Sequence, residues 1–302
     1  MTTVAIIGEC MVELRHIDAT TLALGYAGDT LNTAVYLSRS LDGAGSVQYL
    51  TAVGDDPYSD SMLAGWEAEG IDTHRVARVP GAHPGLYLIR VTDAGERSFT
   101  YYRSESPARR LFDEVQSPDA DLAGVDLIYL SGITLSILSE KAREILWTVL
   151  ASARESGARV AFDTNFRPAG WPDRAAAQET VSRTLRLTDI ALPTFDDEQA
   201  LFGDSDADAS VMRLRGLGVA EIVVKLGAAG CIVADSNTVQ AVPTSVVDDV
   251  VDTTAAGDSF NGGYLAARLT GADPVTAAGA GNRLAGVVIR HGGAIAPSHA
   301  MP

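Results

Sequence analysis

Short apolar runs rich in β-branched residues alternate with helical patterns along most of this 302-residue chain, and that alternation constrains the fold more than any other feature. Segments 4–8, 47–54, 126–132, 159–165, 189–194 and 221–227 read as strands, and segments 29–41, 59–70, 139–156, 173–187 and 208–217 read as helices between them. Strands that alternate with helices pair in parallel. The expectation is therefore an α/β fold with a mostly parallel central sheet covered by helices on both faces. Ligands of such sheets sit beyond the carboxyl ends of the strands. Several strands end there in suggestive groups: Ser131-Gly132, Asp163-Thr164-Asn165, Pro193-Thr194 and Lys225-Leu226-Gly227.

One stretch departs from the pattern. "GLYLIRVTDAGERSFTYYR" (85–103) reads as a hairpin, two β-rich runs around the turn Thr92-Asp93-Ala94-Gly95-Glu96. With the extended stretch at about 9–28 it would form a small separate β-sheet. Neither a long linker nor a repeat interrupts the chain, so residues 1–302 read as a single domain carrying this sheet as an insertion.

Charge and composition exclude several roles. A net charge of −16 argues against nucleic acid or an anionic membrane as partner. No apolar run approaches the roughly 18 residues of a membrane helix. The start "MTTVAIIGECMVEL" has no basic region and breaks its apolar run at Gly8-Glu9, unlike a signal peptide, so the expectation is cytoplasmic. Cys10 and Cys231 lack metal or CxxC spacing, and the five histidines form no HxxxH pair. Only Lys141 and Lys225 are lysines among 23 cationic residues, which makes a lysine kept at the end of a strand worth following.

"DTTAAGDSFNGG" (252–263) carries the most chemistry. The apolar spacing that follows, through Phe260, Tyr264, Leu265 and Leu269, is that of a packed helix, and Gly271 offers its stop. Asp258 then lies in the first turn, where backbone N–H groups lack helical partners and the dipole end is positive. An arbitrary carboxylate there merely complements the dipole. Here, however, the small residues Ala255, Ala256 and Gly257 would let an anion reach those N–H groups, with Asp258 beside it.

The common nucleotide signatures are missing. There is no GxxxxGK[ST] loop, no dinucleotide fingerprint after a strand and no GxSxG elbow. What remains is "KLGAAGC" (225–231), a glycine-rich loop between two strands that could equally be a plain hairpin turn.

Taken together, "DTTAAGDSFNGG", "AGDTLNTAVYLSR" (27–39) and "VGDDPYSDSM" (53–62) resemble the two signatures of the ribokinase-like (PfkB) carbohydrate kinases, over essentially the whole chain. Adding "GECMVEL", "PGLYLIR", "GERSFTYYR" and "DTNFRP", the chain is, within that family, most similar to the 2-keto-3-deoxygluconate kinases.

The resemblance implies specific roles. Asp258 would be the base that takes the proton of the sugar hydroxyl, and the N–H groups of Ala255, Ala256 and Gly257 would form the anion hole. Gly28, Asp29 and Asn32 would hold sugar hydroxyls. Tyr87, Tyr102 and Arg103 would reach in from the hairpin, which becomes a lid, and Arg167 would approach from below. Gly227, Ala228 and Gly230 would flank the nucleotide, with Lys225 near its phosphates and Asn282 near the adenine. Asp252 and Thr254 match positions that bind a monovalent cation such as K+ in some members. ATP and Mg2+ are the implied cofactors. These roles agree with phosphoryl transfer, which needs positioning, charge neutralisation and a base.

Two positions depart from the family pattern. Thr194 stands where an Asn-x-x-Glu motif usually starts, with Asp197 in the Glu position as an indirect magnesium partner. Ala27 stands where a second glycine is common. A sugar acid needs a cation for its carboxylate, and Arg103 and Arg167 are the candidates. The reading is phosphorylation of the 6-hydroxyl of 2-keto-3-deoxygluconate. Its rivals are fructose, ribose or 2-keto-3-deoxygalactonate as substrate, a non-catalytic sugar-binding protein and, least consistent with the motifs, a nicotinamide oxidoreductase. An exposed edge of the lid sheet would favour a homo-oligomer.

Overall fold

The structure, a computed structural model, describes residues 2–91, 97–113, 122–236 and 238–302. The turn expected at 92–96 lies outside the described residues.

A nine-stranded sheet runs in the spatial order Val239–Val242, Cys231–Ala234, Glu221–Lys225, Ile190–Ala191, Arg159–Asp163, Leu127–Ser131, Thr2–Ile7, Gly45–Leu50, Ile71–Asp72. From Glu221–Lys225 to the Ile71–Asp72 edge every pairing is parallel. The other edge turns antiparallel, because only five residues join Lys225 to Cys231 and no crossover helix fits between them.

Strand alternation divides the core. Ile6, Tyr129 and Val223 enter one apolar cluster, while Ile7, Leu130 and Val224 enter the other. Helices Asp29–Leu41, Pro57–Ala68, Ala256–Leu269 and Pro274–Val288 cover the first face. Glu140–Glu155, Arg174–Leu185 and Ala207–Gly216 cover the second. Central strands are buried on both faces, so they read as unbroken apolar runs. The α/β class expected from the sequence is what the chain adopts.

The segment expected as one strand at 47–54 divides in two. Gly45–Leu50 belongs to the main sheet, and Ala52–Val53 pairs instead with Ala77–Arg78. Three helices were not separated from their surroundings by pattern alone: Gly132–Ile137, Phe195–Phe202 and Pro274–Val288. The first two are too short to show a period, and the third is built largely of small residues whose apolar face is weakly marked.

Residues 9–28 and 85–103 do combine into a separate four-stranded sheet, in the order Leu22–Ala27, Met11–His16, Leu86–Val91, Arg97–Tyr102. Met11, Ala27, Tyr87 and Ile89 form a small apolar cluster of their own under it. No helix of the described residues is long and apolar enough to cross a membrane.

Candidate active site

Most helix starts are closed by a side chain. Asp56, Ser131, Ser139, Asp173, Asp206 and Asp273 each accept backbone N–H groups at the head of their helix. Three starts have no side-chain cap: Gly28, Thr194 and Ala255. All three lie at the carboxyl ends of the parallel strands, where ligands of such sheets bind. Uncapped helix starts offer N–H donors and a positive dipole end to an anion.

The Ala256–Leu269 helix begins abruptly. Ala255 adopts the left-handed conformation (φ 60°), which a residue with a Cβ rarely occupies, and its side chain cannot cap. Asp252 braces the preceding loop by accepting Thr254 N–H at 2.7 Å and Gly293 N–H at 2.8 Å. Ala256 N–H turns back onto Thr253 O at 3.3 Å. This short stretch is also the wall between two cavities. Thr254 lines a small chamber of about 130 Å3, and Ala256 and Gly257 line a larger one of about 400 Å3.

Asp258 follows at once. Its Oδ2 accepts Asn32 Nδ2 at 2.8 Å, and its backbone oxygen accepts Thr33 Oγ1 at 3.3 Å. Both partners come from the Asp29–Leu41 helix, which can approach because position 262 is glycine. A Cβ there would lie 2.8 Å from Tyr36 Cβ and 2.9 Å from Leu37 N. Burial pushes the Asp258 carboxyl up to about 7, the nearby Asp29 charge adds to the rise, and the Asn32 hydrogen bond opposes it. Asp29 is likewise raised, chiefly by burial, and accepts Asn165 Nδ2 at 2.8 Å.

The small chamber lies between the main sheet and the four-stranded one. Gly28, Asp29 and Asn32 form its floor, and Tyr87, Phe99, Tyr101 and Arg103 close it from above. Gly28 must be glycine, since a Cβ would come within 2.1 Å of Glu9 O. Here one expectation is corrected. Tyr102 does not face the chamber. Strand alternation puts Tyr101 opposite Tyr87, ring centroids 5.8 Å apart, whereas Tyr102 pairs with Leu86 and is 62% exposed. A pattern of alternating residues counted back from Arg103 would have selected Tyr101. Glu9, read in the sequence only as a break in an apolar run, also lines the chamber and forms an ion pair with Arg103.

Arg167 sits apart from the chamber. It lines an outer cleft of about 1090 Å3 that also takes in Arg103, Arg109 and Ile133, and it pairs with Asp197 at 3.2 Å. Tyr101, Arg103 and Ile133 are common to chamber and cleft, and Arg103 is the one cation among these three. Asp197 is pushed up to about 6 by burial, against the opposing pull of Arg167.

The larger cavity is lined by Lys225, Gly227, Ala228, Gly230, Asn282 and Gly257, joined by Val246 and Val247, which the sequence did not single out, and by Phe260, expected only as a packed helix residue. Its apolar walls and glycine loop suit a flat ring system beside a charged end. Gly230 (φ +88°) brings the loop against the edge strand Val239–Val242, where a Cβ would meet Val242 O at 2.2 Å. The loop is therefore both a hairpin connection and a cavity wall. Asn282 donates to Val242 O at 3.3 Å.

Lys225 ends its strand buried, with Nζ donating to Asp163 Oδ2 at 2.7 Å and Asn261 Oδ1 at 3.0 Å. Its ammonium lies against the helix start, 3.4 Å from where a Cβ on Gly257 would be. Asp163 also accepts Asn261 Nδ2 at 2.7 Å and Asn165 N–H at 3.1 Å. Asn261 was not singled out from sequence, although it sits within the "SFNGG" stretch three residues after Asp258, one helical turn on.

Comparison with known proteins identifies relatives over the whole chain. A protein named 2-dehydro-3-deoxygluconokinase from Dickeya dadantii is 45% identical over 308 residues, covering 99% of this chain and 98% of its own. The protein of the same name from Escherichia coli K12 is 43% identical over 305 residues, with 99% and 98% coverage. The solved structure of a fructokinase with bound ATP from Xylella fastidiosa superposes with a TM-score of 0.85 at 24% identity, covering 99% of this chain and 95% of the other. Residues 1–301 match the family described as pfkB family carbohydrate kinase, and the chain belongs to that family.

Proposed function

We propose that the chain transfers the γ-phosphoryl group of ATP to the 6-hydroxyl of 2-keto-3-deoxygluconate, giving the 6-phosphate and ADP. The observation that carries this reading is the shared wall. A helix start with no side-chain cap separates a chamber lined by Glu9, Asp29, Asn32 and Arg103 and sized for a sugar from an apolar cavity sized for a nucleotide, and the half-buried Asp258 carboxylate follows it. The near-full-length relatives named 2-dehydro-3-deoxygluconokinase support the choice of substrate.

The hydroxyl oxygen attacks the γ-phosphorus as the bond to the β–γ bridging oxygen breaks, and ADP departs. The hydroxyl proton passes to Asp258, whose raised pKa matches it to a base working near neutrality. Charge on the transferred group is met by the N–H groups of Ala255 and Gly257, by that of Ala256 as it turns from Thr253 O, and by Lys225. Gly28, Asp29 and Asn32 orient the sugar, Tyr87 and Tyr101 cover it, and Arg103 and Arg167 face the carboxylate. Gly227, Ala228, Gly230 and Asn282 flank the nucleotide. The small sheet acts as a lid that excludes water as a competing acceptor.

Mg2+ supplies neutralisation of the ATP phosphates. Its usual mode, one or two carboxylates with several waters and the phosphates themselves, fits Asp197, a half-buried carboxylate at the uncapped Thr194 helix start. No cluster of three or more His, Cys, Asp or Glu side chains suited to a resident metal occurs among the described residues. Asp252 and Thr254 are the residues that would hold a K+ ion. Both Asp252 oxygens already accept backbone N–H groups, so such an ion would share the carboxylate with the loop it braces.

An ADP-release assay with ATP over a panel of sugars and sugar acids tests the proposal. Turnover of 2-keto-3-deoxygluconate well above that of fructose, ribose and 2-keto-3-deoxygalactonate is expected. A faster neutral sugar would overturn the substrate choice, and no ADP release with any acceptor would overturn the kinase reading.

A further inference from the structure

We propose that Glu9 contacts the substrate directly, accepting a hydrogen bond from a sugar hydroxyl and so fixing which end of the sugar acid faces the arginines; this rests on the reading of the small chamber as the sugar site. Glu9 follows the first core strand, Thr2–Ile7, and its backbone is pinned by the close approach of Gly28 to its carbonyl oxygen. The residue is only 3% exposed. One carboxylate oxygen, Oε2, takes the guanidinium of Arg103. The other, Oε1, is buried and has no hydrogen-bond partner among the described residues.

A charged acceptor shut away from water without a donor is costly, and native structures seldom leave one so. What surrounds Oε1 explains it. Glu9 lines the chamber, and at Gly85, in the lining of the outer cleft, a Cβ would come within 3.1 Å of Oε1, so the missing side chain keeps the space beside that oxygen free. A second buried acceptor in the same chamber is also unpartnered: Asn32 Oδ1, turned away from Asp258 because Nδ2 of the same amide donates to it. Two orphaned acceptors on residues that line one cavity call for a ligand rich in hydroxyl donors. A carboxylate, by contrast, is repelled by Glu9.

Orientation follows from that repulsion. Arg103 is shared between Glu9 on the chamber side and the outer cleft that also holds Arg167. A sugar acid lowers its energy by placing hydroxyls toward Glu9 and its acid end toward the cleft side of Arg103. Reversed binding would set two carboxylates against each other in a buried space. Glu9 thereby selects the pose in which the far hydroxyl can reach Asp258.

The test is titration calorimetry of 2-keto-3-deoxygluconate and, separately, of ATP against Glu9→Ala and Glu9→Gln, each made in the wild-type and the Arg103→Ala background. Glu9→Ala is expected to weaken sugar-acid binding about 10- to 100-fold, and Glu9→Gln, which keeps a neutral acceptor, by about 3- to 10-fold. ATP binding should be unchanged in both. In the Arg103→Ala background Glu9→Ala should still weaken sugar binding by about tenfold. No further loss there would show that Glu9 acts only through Arg103, and unchanged sugar affinity in both single variants would likewise overturn the contact. Glu9→Gln is close to isosteric, so its ATP affinity reports whether the fold is intact if the alanine variant collapses. If the wild-type protein binds another sugar in place of the keto-deoxy acid, the substrate reading fails, and the same variants titrated with that sugar decide the role of Glu9. If it binds no sugar, both fall.

Discussion

Asn32 and Asp258 lie 226 positions apart in the chain, yet the amide Nδ2 of one donates to carboxylate Oδ2 of the other at 2.8 Å. The contact joins two helix starts that have no side-chain caps, and it ties the Asp258 carboxylate to a residue that lines the small chamber. If Asp258 is the base, Asp258→Asn should lower kcat about 10²- to 10⁴-fold while ATP binding and folding persist. Steady-state kinetics with a parallel ATP titration checks this. Near wild-type turnover would remove Asp258 from the mechanism.

The pH profile should report the same group. A base must be ionised, so kcat/KM should rise with pH through about 7, the value to which burial and the Asp29 charge push Asp258. Asp29→Asn removes a negative neighbour, which lowers the cost of ionising Asp258, so the midpoint should move to lower pH. A stability consequence has a definite sign. The folded chain holds this proton more tightly than the unfolded chain, whose carboxyl titrates near 4. Its contribution to stability is therefore complete below about 4 and is lost as pH rises through about 7. Asp258→Asn should flatten that part of the stability curve, read by denaturant midpoints across pH.

Close helix packing makes a separate prediction. Gly262→Ala would place a methyl group 2.8 Å from Tyr36 Cβ and 2.9 Å from Leu37 N, one of them backbone. Overpacking of this kind costs about 1–3 kcal/mol. Denaturant unfolding should show the loss, and kcat should fall with it, because the helix that carries Asn32 must move away from Asp258. Gly216→Ala, where a Cβ would meet nothing within 4 Å, is the control.

The arginines should separate acids from neutral sugars. Arg103→Ala or Arg167→Ala should lower kcat/KM for 2-keto-3-deoxygluconate by about tenfold or more, a hydrogen bond to a charged group being worth roughly 1.5–3 kcal/mol. Slow activity on neutral sugars should change much less. Arg103 lies at the joint of chamber and cleft while Arg167 is half turned to Asp197, so the larger effect is expected at Arg103. Equal losses on acids and neutral sugars would point to a packing role instead.

If the small sheet is a lid, amide exchange in Leu86–Val91 and Arg97–Tyr102 should slow when sugar acid and an ATP analogue bind, since lids come from the low-stability end of a structure. Exchange mass spectrometry with and without ligand decides it. Equal protection in both states would leave the sheet a fixed roof.

The sequence by itself determined the α/β class, the two faces of the central sheet, the separate small sheet and the helix start at Ala255 to Asp258. Each of these is written in local terms: a period of apolar residues, a run of small ones, a glycine at a turn. The tertiary structure decided what long-range contact alone can settle. Glu9 reads locally as a break in an apolar run, and only the return of the chain at Arg103 makes it a buried ion pair with one oxygen left over. Asn261 and Asp163 become the holders of Lys225 only when strands and helix meet 36 and 62 positions away from it. Tyr101 and Tyr102 are indistinguishable in composition, and the register of Leu86–Val91 against Arg97–Tyr102 is what sends the first toward Tyr87 and the chamber while the second lines only the outer cleft. The division of the site into two cavities by four residues, Thr254 to Gly257, likewise has no local signature, because a wall exists only once there is space on both sides of it.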